Sequence, residues 1–309
     1  MPGLPGKGRT KLGQTGGSYR DGRDATWPDV GPERAAVSRE LRVLQLTDCH
    51  LSADPDARYR GIHARDALEQ VLRAAASWSP ELLLLTGDLS EDGSEASYAW
   101  LAERLSGLAE RILAVPGNHD DSALHRRYFG AAPSDGPRVY DRLGWRLVML
   151  DSTVEGEVPG TLSQTMLAGL SDALREPQLS KLVALHHQPL PVGSAWIDRY
   201  ALQDPAGFWA SIEAGRRVRA VTWGHIHHAL RARRNGIELL GSPSTASNSY
   251  PCREVFAFDP AGPAGRWFKL AADGRLASGL LRPGPRSGAW QDEPQNDVDE
   301  DSRERGGQH

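Results

Sequence analysis

Three of the chain's ten histidines fall within four residues, in the stretch TWGHIHH, Thr222 to His228. Four other short stretches carry side chains of the same kind. They are Asp48 and His50 in TDCHL, Asp88 behind Gly87 in TGDLS, Asn118, His119 and Asp120 behind Gly117 in PGNHD, and His186-His187 in LHHQP. Each fragment alone has an ordinary reading. Asp after a strand caps a helix, Gly-Asp makes a turn, and a lone histidine is a satisfied polar group. Independent caps and turns have no reason to supply only metal-competent side chains at five sites. Carboxylate, imidazole and amide together suit borderline first-row ions such as Fe, Mn or Zn.

Each stretch ends a short apolar run: LRVLQLTD (41–48), ELLLLTGD (81–88), RILAVPGN (111–118), KLVALHH (181–187) and VRAVTWGH (218–225). A sixth run, WRLVMLDS (145–152), ends in Asp151 and Ser152, where a cap or turn is expected. These runs have strand length and strand composition. ARDALEQVLRAAASW (64–78) and SEASYAWLAERLSGL (94–108) lie between them and carry apolar residues at helical spacing. Strands alternating with helices imply α/β layers around mostly parallel sheets, whose strand carboxyl ends are the usual binding edge. Beyond residue 236 the pattern becomes strands and turns: GIELLGSP, EVFAFDP and GRWFKLAADGRL, the last with an Asp-Gly hairpin signal. In an extended segment His225 and His227 would face one way and Ile226 the other, with His228 a bystander.

The series DCH, GD, GNHD, H and GHIH, over about residues 41–245, resembles the calcineurin-like metallophosphoesterases. LHHQPLPVGSAWID (185–198), GHIHHALRARRNGIELLGSPST (224–245) and GRWFKLAADGRL (265–276) are similar to the bacterial 3′,5′-cyclic-AMP phosphodiesterases (class III) of that family. The resemblance implies a four-layer α-β-β-α sandwich. It implies one divalent ion on Asp48, His50, Asp88 and His227 and a second on Asp88, Asn118, His186 and His225, with Fe or Mn expected and Zn an alternative. Asp88 bridges, since two neighbouring cations need a shared anionic ligand. The implied reaction turns cAMP into 5′-AMP by attack of a metal-bridging hydroxide, with His50, Asp88, Asn118, His119 and His227 around the phosphate. His119 is the expected proton donor to the leaving oxygen, with Asp120 holding its tautomer. Asp120 is also the expected N-cap of the helical segment that follows. A broader phosphodiesterase or phosphomonoesterase on the same site is the alternative, since substrate choice lies in pocket walls. GSPSTASNSYP (241–251), with Asn248 and Tyr250, is expected to line the substrate side. Between His186 and His187, the family pattern selects His186.

Composition limits the remaining classes. Hydrophobic residues make up 39% and charged residues 25%, which is ordinary globular composition. The net charge of −4 argues against a nucleic-acid binder acting through general positive charge. No apolar run reaches the roughly 18 residues of a membrane span, and no hydrophobic leader opens the chain. The two cysteines, Cys49 and Cys252, form no disulfide framework, so a cytoplasmic setting is expected and Cys49 reads as a buried small hydrophobe. Residues 40–282 are expected to form the folded domain. Residues 1–39 and the acidic stretch 283–309, with seven acids against three arginines, lack the apolar side chains needed to offset ordering and read as disordered. The expected partner is a small nucleotide; no nucleic-acid, membrane or protein partner is expected.

Overall fold

The computed structural model describes residues 39–130, 136–284 and 290–291. The expected N-terminal tail, except residue 39, lies outside the described residues, as does most of 283–309. In chain order the elements are β1 (Glu40–Leu46), β2 (Arg58–Tyr59), β3 (Ile62–His63), α1 (Ala64–Trp78), β4 (Leu82–Thr86), α2 (Glu95–Leu105), β5 (Arg111–Val115) and α3 (Ser122–Phe129). There follow β6 (Arg138–Arg142), β7 (Trp145–Met149), α4 (Gln164–Leu174), β8 (Ser180–Ala184), α5 (Ala195–Asp198), α6 (Ala206–Ala214) and β9 (Val218–Trp223). The last are β10 (Leu230–Arg234), β11 (Ile237–Gly241), β12 (Gly265–Ala271), β13 (Leu276–Leu281) and β14 (Trp290–Gln291).

Two six-stranded sheets result, ordered β14-β13-β12-β1-β4-β5 and β10-β11-β9-β8-β7-β6, beside the small β2-β3 hairpin. β1, β4 and β5 run parallel, as do β7, β8, β9 and β11. Strand periodicity then assigns each apolar residue to one of three cores. Leu41, Val43, Leu82 and Leu84 of the first sheet meet Trp145, Leu147, Leu182 and Ala220 of the second between the sheets. Their neighbours Leu44, Leu46, Leu83 and Leu85 face outward onto α1 and α2. Val148, Val183 and Val221 face outward onto α4 and α6. Three cores separate four layers, helix-sheet-sheet-helix, as the sequence implied. Burial on both faces is why LLLLT reads as a continuous apolar run with no alternation.

Helix ends follow local chemistry. The Ser94 side chain accepts from Ser97 N at 3.3 Å to start α2, and Ser163 accepts from Met166 N at 3.0 Å to start α4. α1 stops at Ser79 in the left-handed region, its N–H returning to Ala75 O at 3.1 Å. The expected strand over EVFAFDP is absent: this segment forms only the isolated bridge Ser249–Phe258, and Val255 is 69% exposed. Trp290–Gln291, within the stretch read as tail, pairs with Leu280 and Leu281 as an edge strand.

One polar cluster interrupts the inter-sheet core near the binding edge. Gln45 Nε2 donates to Thr86 Oγ1 at 2.8 Å and to Trp223 O at 3.3 Å. Its Oε1 accepts from Thr222 Oγ1 and from Ser242 Oγ, both at 2.7 Å. A fully satisfied buried amide of this kind favours one alignment of the sheets over slipped ones.

Candidate metal centre and active site

The loops after β1, β4, β5, β8 and β9 meet at one edge and bring all seven expected ligands together. Their backbone is unusual. Asp48, His50, Asp88, His225 and His227 have φ of 52°, 44°, 50°, 66° and 53°. Non-glycine residues held there cost about 1–3 kcal/mol each and cluster at functional sites. Crossing hydrogen bonds hold them: Asp48 N to Gly87 O at 2.9 Å, His50 N to Asp88 O at 3.0 Å, and His225 N to the Asp48 carboxylate at 3.0 Å. The GHIH segment is therefore not extended, as the sequence had suggested. Left-handed turns at both histidines aim them at the site, while Ile226 is fully buried in the outer core of the second sheet. Close approach also explains two glycines. A Cβ at Gly224 would lie 2.7 Å from Asp48 Oδ2, and one at Gly117 would lie 2.8 Å from His186 Cε1.

The ring nitrogens decide what the cluster can hold. His186 Nδ1 donates to Thr86 O and His227 Nδ1 to Ser247 O, each at 2.7 Å. His50 Nδ1 lies 2.7 Å from Glu91 Oε2. Each bond puts the ring proton on Nδ1 and leaves a lone pair on Nε2. His50 Nε2 and His227 Nε2 then face one another at 3.2 Å, with Asp48 Oδ1 3.3 Å from the latter. On the other side His186 Nε2 faces Asn118 Oδ1 at 3.2 Å, His225 Nδ1 at 3.1 Å and Asp88 Oδ2 at 3.5 Å. Asp88 Oδ2 also lies 3.8 Å from His50 Nε2 and so joins the two groups. Acceptors opposed at such distances repel unless a cation sits among them. Nitrogens about 2.1 Å from one ion stand about 3 Å apart, so the donor set fits divalent cations.

The charges agree. Burial opposes ionisation of Asp88, yet His186, His50 and His119 hold its carboxyl well below the ordinary range. Burial likewise opposes charge on Asp48, and His227 and His186 outweigh it, lowering its pKa. Burial disfavours a proton on His186, but Asp88 and Asp48 push it up to about 9. Positive charge is thus stabilised where the second ion is expected. Burial, with His187 and His186 beside it, keeps His225 well below its usual value and neutral.

The neighbours differ from expectation in instructive ways. The carboxylate beside His119 is Glu91, whose Oε2 lies 3.2 Å from His119 Nδ1. Asp120 instead accepts from Leu89 N at 3.1 Å, Ser90 N at 3.0 Å, Gly117 N at 2.9 Å and Tyr98 Oη at 2.9 Å. It ties the GNHD loop to the GDLS loop, and the N-cap of α3 is Asp121, not Asp120. Both His187 ring nitrogens are taken, by Ser152 Oγ at 2.8 Å and Val158 O at 3.0 Å, which leaves His186 as the available ring. His228 is buried and its Nδ1 donates to Ile226 O at 2.7 Å. Burial pushes the Cys49 thiol up to about 12, so it is no thiolate ligand. Asp151 accepts from its own turn, at Thr153 N and Oγ1.

Within 241–251, Ser244, Ser247 and Asn248 stand behind the expected ligands, and none of the stretch is among the residues that wall the cleft. Ser247 O receives the His227 ring, Ser244 Oγ donates to Asp48 O at 2.7 Å, and the Asn248 amide clamps Ser244 at both its N and O. The cleft above the ligands, ≈ 200 Å³, is walled by Tyr59, Arg60, Trp196 and Tyr200. Tyr59 lies flat on the His50 ring, with centroids 3.7 Å apart and planes at 4°. Sequence reading missed these walls and Glu91. The only signals were the Arg60-Gly61 turn dipeptide and Trp196 inside the subfamily-like stretch.

An α-β-β-α sandwich with carboxylates, imidazoles and an amide converging at one edge defines a metallophosphoesterase. The family model "Calcineurin-like phosphoesterase" matches residues 41–229, and the chain belongs to that family. It is 35% identical over 251 residues to the 3′,5′-cyclic adenosine monophosphate phosphodiesterase CpdA of Pseudomonas aeruginosa, covering 80% of this chain and 92% of that one. It is 37% identical over 245 residues to a 3′,5′-cyclic-nucleotide phosphodiesterase of Nostoc sp., covering 78% and 92%. Escherichia coli CpdA is 33% identical over 251 residues, covering 80% and 91%. A dimetal phosphatase from Danio rerio shares the fold, with TM-score 0.60, 14% identity, and 80% of this chain and 100% of that one covered.

Proposed function

We propose that this chain hydrolyses the cyclic phosphodiester of 3′,5′-cAMP to 5′-AMP, using two divalent ions, Fe or Mn foremost and Zn as the alternative. One observation carries the reading. Two groups of lone-pair donors share Asp88, and the His119 imidazole stands beside them, 36% exposed, on the cleft. The names of the relatives support the cyclic-nucleotide assignment. Asp48, His50, Asp88 and His227 would hold one ion, and Asp88, Asn118, His186 and His225 the other. When bound, such ions supply Lewis acidity to phosphoryl oxygens and make water acidic enough to attack near neutral pH.

The chain's own groups do the rest. His50, Asp88 and His227 stand on the cleft side where the phosphate would lie, as residues that would hold the ions there. The Asn118 amide, its oxygen turned toward His186, keeps its NH₂ for a phosphoryl oxygen. Glu91 keeps the His119 proton on Nδ1 in the resting ring, so Nε2 is the nitrogen that takes and delivers a proton. As the P–O3′ bond breaks, protonated His119 gives its Nε2 proton to the departing 3′-oxygen. Asp120 acts further back, by fixing the loop that carries Asn118 and His119. Cys49 and Cys252 are both free, and among the described residues no helix is long and apolar enough to cross a membrane. We assign a cytoplasmic nucleotide pool as the source of substrate.

The test is to load the purified chain with Mn²⁺, incubate it with cAMP and identify the product by chromatography, with bis-(p-nitrophenyl) phosphate in parallel. Rapid, chelator-sensitive formation of 5′-AMP is expected. Hydrolysis of the synthetic diester without cAMP turnover would replace the proposal by a broader phosphodiesterase on the same site.

A further inference from the structure

The cleft wall carries a cation that the phosphate chemistry does not use. β2 and β3 form a hairpin of two-residue strands paired Arg58–His63 and Tyr59–Ile62. Its turn is Arg60-Gly61, with φ of 47° and 84°, the pattern of the tight turns that join twisted strands. Tyr59 anchors the hairpin on His50. Arg60, at the tip, reaches to the opposite wall. Its guanidinium lies 4.2 Å from the Phe256 ring centroid, 5.7 Å from that of Trp196 and 5.4 Å from that of Tyr59. Its Nε donates to Tyr59 Oη at 3.0 Å. Among the described residues no carboxylate lies within ion-pair distance of Arg60, although the surface is rich in arginine–acid pairs such as Arg104–Glu69 and Arg127–Glu95.

The aromatic corner that Arg60 covers is continuous with the metal ligands. Trp196 stands edge-on to His227, centroids 6.4 Å apart, and edge-on to Phe256 at 5.3 Å. The Trp196 indole Nε1 is buried and has no hydrogen-bond acceptor. A planar cation over aromatic faces, an unpartnered donor and a phosphate site one ring away form a seat for a flat, electron-rich ring with acceptor atoms on its edge. A purine base has that chemistry. Guanidinium planes and aromatic faces both stack on bases, and the guanidinium donates to ring nitrogens and oxygens.

We infer that Arg60, Phe256 and Trp196 form the nucleobase seat of this enzyme and set its preference for nucleotides over other phosphodiesters; this rests on the nucleotide reading above. The 4.2 Å contact leaves no room for a further layer between guanidinium and Phe256. The base therefore lifts Arg60 off the ring, takes its place against the corner and is covered by it. Arg60 is a specificity residue and touches no reacting atom.

The test uses the Mn²⁺-loaded full chain and its hydrolysis of methyl p-nitrophenyl phosphate, a diester without a base. Inhibition constants for 5′-AMP and for inorganic phosphate are measured in the parent, R60A, R60K and F256A. The ratio of the 5′-AMP constant to the phosphate constant is expected to rise about ten-fold in R60A and F256A. R60K, which keeps charge but loses the plane, should resemble R60A. An unchanged ratio in R60A and F256A overturns the seat, whether both constants hold or both weaken together. Full recovery in R60K also overturns it, because charge alone would then suffice. A parent that hydrolyses the diester but neither turns over cAMP nor is inhibited by 5′-AMP refutes the nucleotide reading itself. A parent that does both, with an unchanged ratio in the variants, refutes only the seat.

Discussion

Glu91 serves two imidazoles with a single oxygen, at 2.7 Å from His50 Nδ1 and 3.2 Å from His119 Nδ1. Its replacement should therefore affect metal uptake and proton transfer together. A hydrogen bond to a charged acceptor contributes about 1.5–3 kcal/mol. The Glu91 side chain is 35% exposed, so solvent screening reduces this to about 1–2 kcal/mol for the shorter contact. Loss of a partner to a ligating histidine weakens metal binding or activity about 10–100-fold. Glu91→Gln keeps an acceptor oxygen and loses the charge, so about a ten-fold loss is expected. Glu91→Ala loses both and should approach a hundred-fold. Calorimetric titration of Mn²⁺ into metal-free protein reads the first effect, and cAMP turnover at saturating Mn²⁺ reads the second. The weakened site should be the one that contains His50. If Glu91→Ala binds Mn²⁺ as the parent does and turns over cAMP within two-fold of it, the shared-carboxylate reasoning is wrong.

Three further outcomes are expected. His119→Ala should retain its metals and lose about a hundred-fold or more in cAMP turnover; it should lose far less on a p-nitrophenyl diester, whose leaving group needs no proton, and equal losses would remove the acid role. Gly224→Ala drives a Cβ first against Thr47 Oγ1 and then to 2.7 Å from Asp48 Oδ2, so strain of about 1–3 kcal/mol should fall on the segment that carries Asp48 and deplete metal in elemental analysis, whereas parent-like metal content would show that the loop yields freely. Burial pushes His228 down to about 4, so the folded chain refuses a proton that the unfolded chain accepts below about pH 6.5. Its stabilising contribution is complete above that pH and is lost as the pH falls toward about 4, by up to about 3 kcal/mol. His228→Gln should flatten the acid limb of urea-unfolding stability in metal-free protein, and parallel curves for parent and variant would contradict this.

Sequence reading reached furthest where side-chain type and spacing act through the backbone alone. The apolar runs fell on strands because burial on two faces demands them, and α1 matched its periodic segment from Ala64 to Trp78. The convergence of the expected ligands was legible because they follow strands directly. Their conformation was not: alternation suggested an extended GHIH, whereas the loop obtains the same separation of Ile226 from its flanking histidines through left-handed turns. Glu91 was missed for a related reason. The nearest acid in sequence to His119 is Asp120, but proximity in the chain does not aim a side chain, and two donors from the neighbouring loop, Gly117 N and Tyr98 Oη had claimed it. EVFAFDP has strand composition yet pairs only through the isolated bridge Ser249–Phe258, and so remained a loop. The cleft walls come from a hairpin only two residues deep and from a short helix, too brief for any periodicity to announce.

The division of the ligands between the two sheets has a consequence for the chain as a polymer. His50 leaves the first sheet and His227 the second, 177 residues apart, and Asn118 and His186 are separated by 68. Ions held by such pairs would act as staples across long loops, as disulfides do in secreted proteins, in a chain whose two cysteines are both free. Closing a loop of over a hundred residues removes about 5 kcal/mol of entropy from the unfolded chain. The melting temperature would then track free metal concentration, and a cell starved of metal would lose the protein's abundance along with its activity.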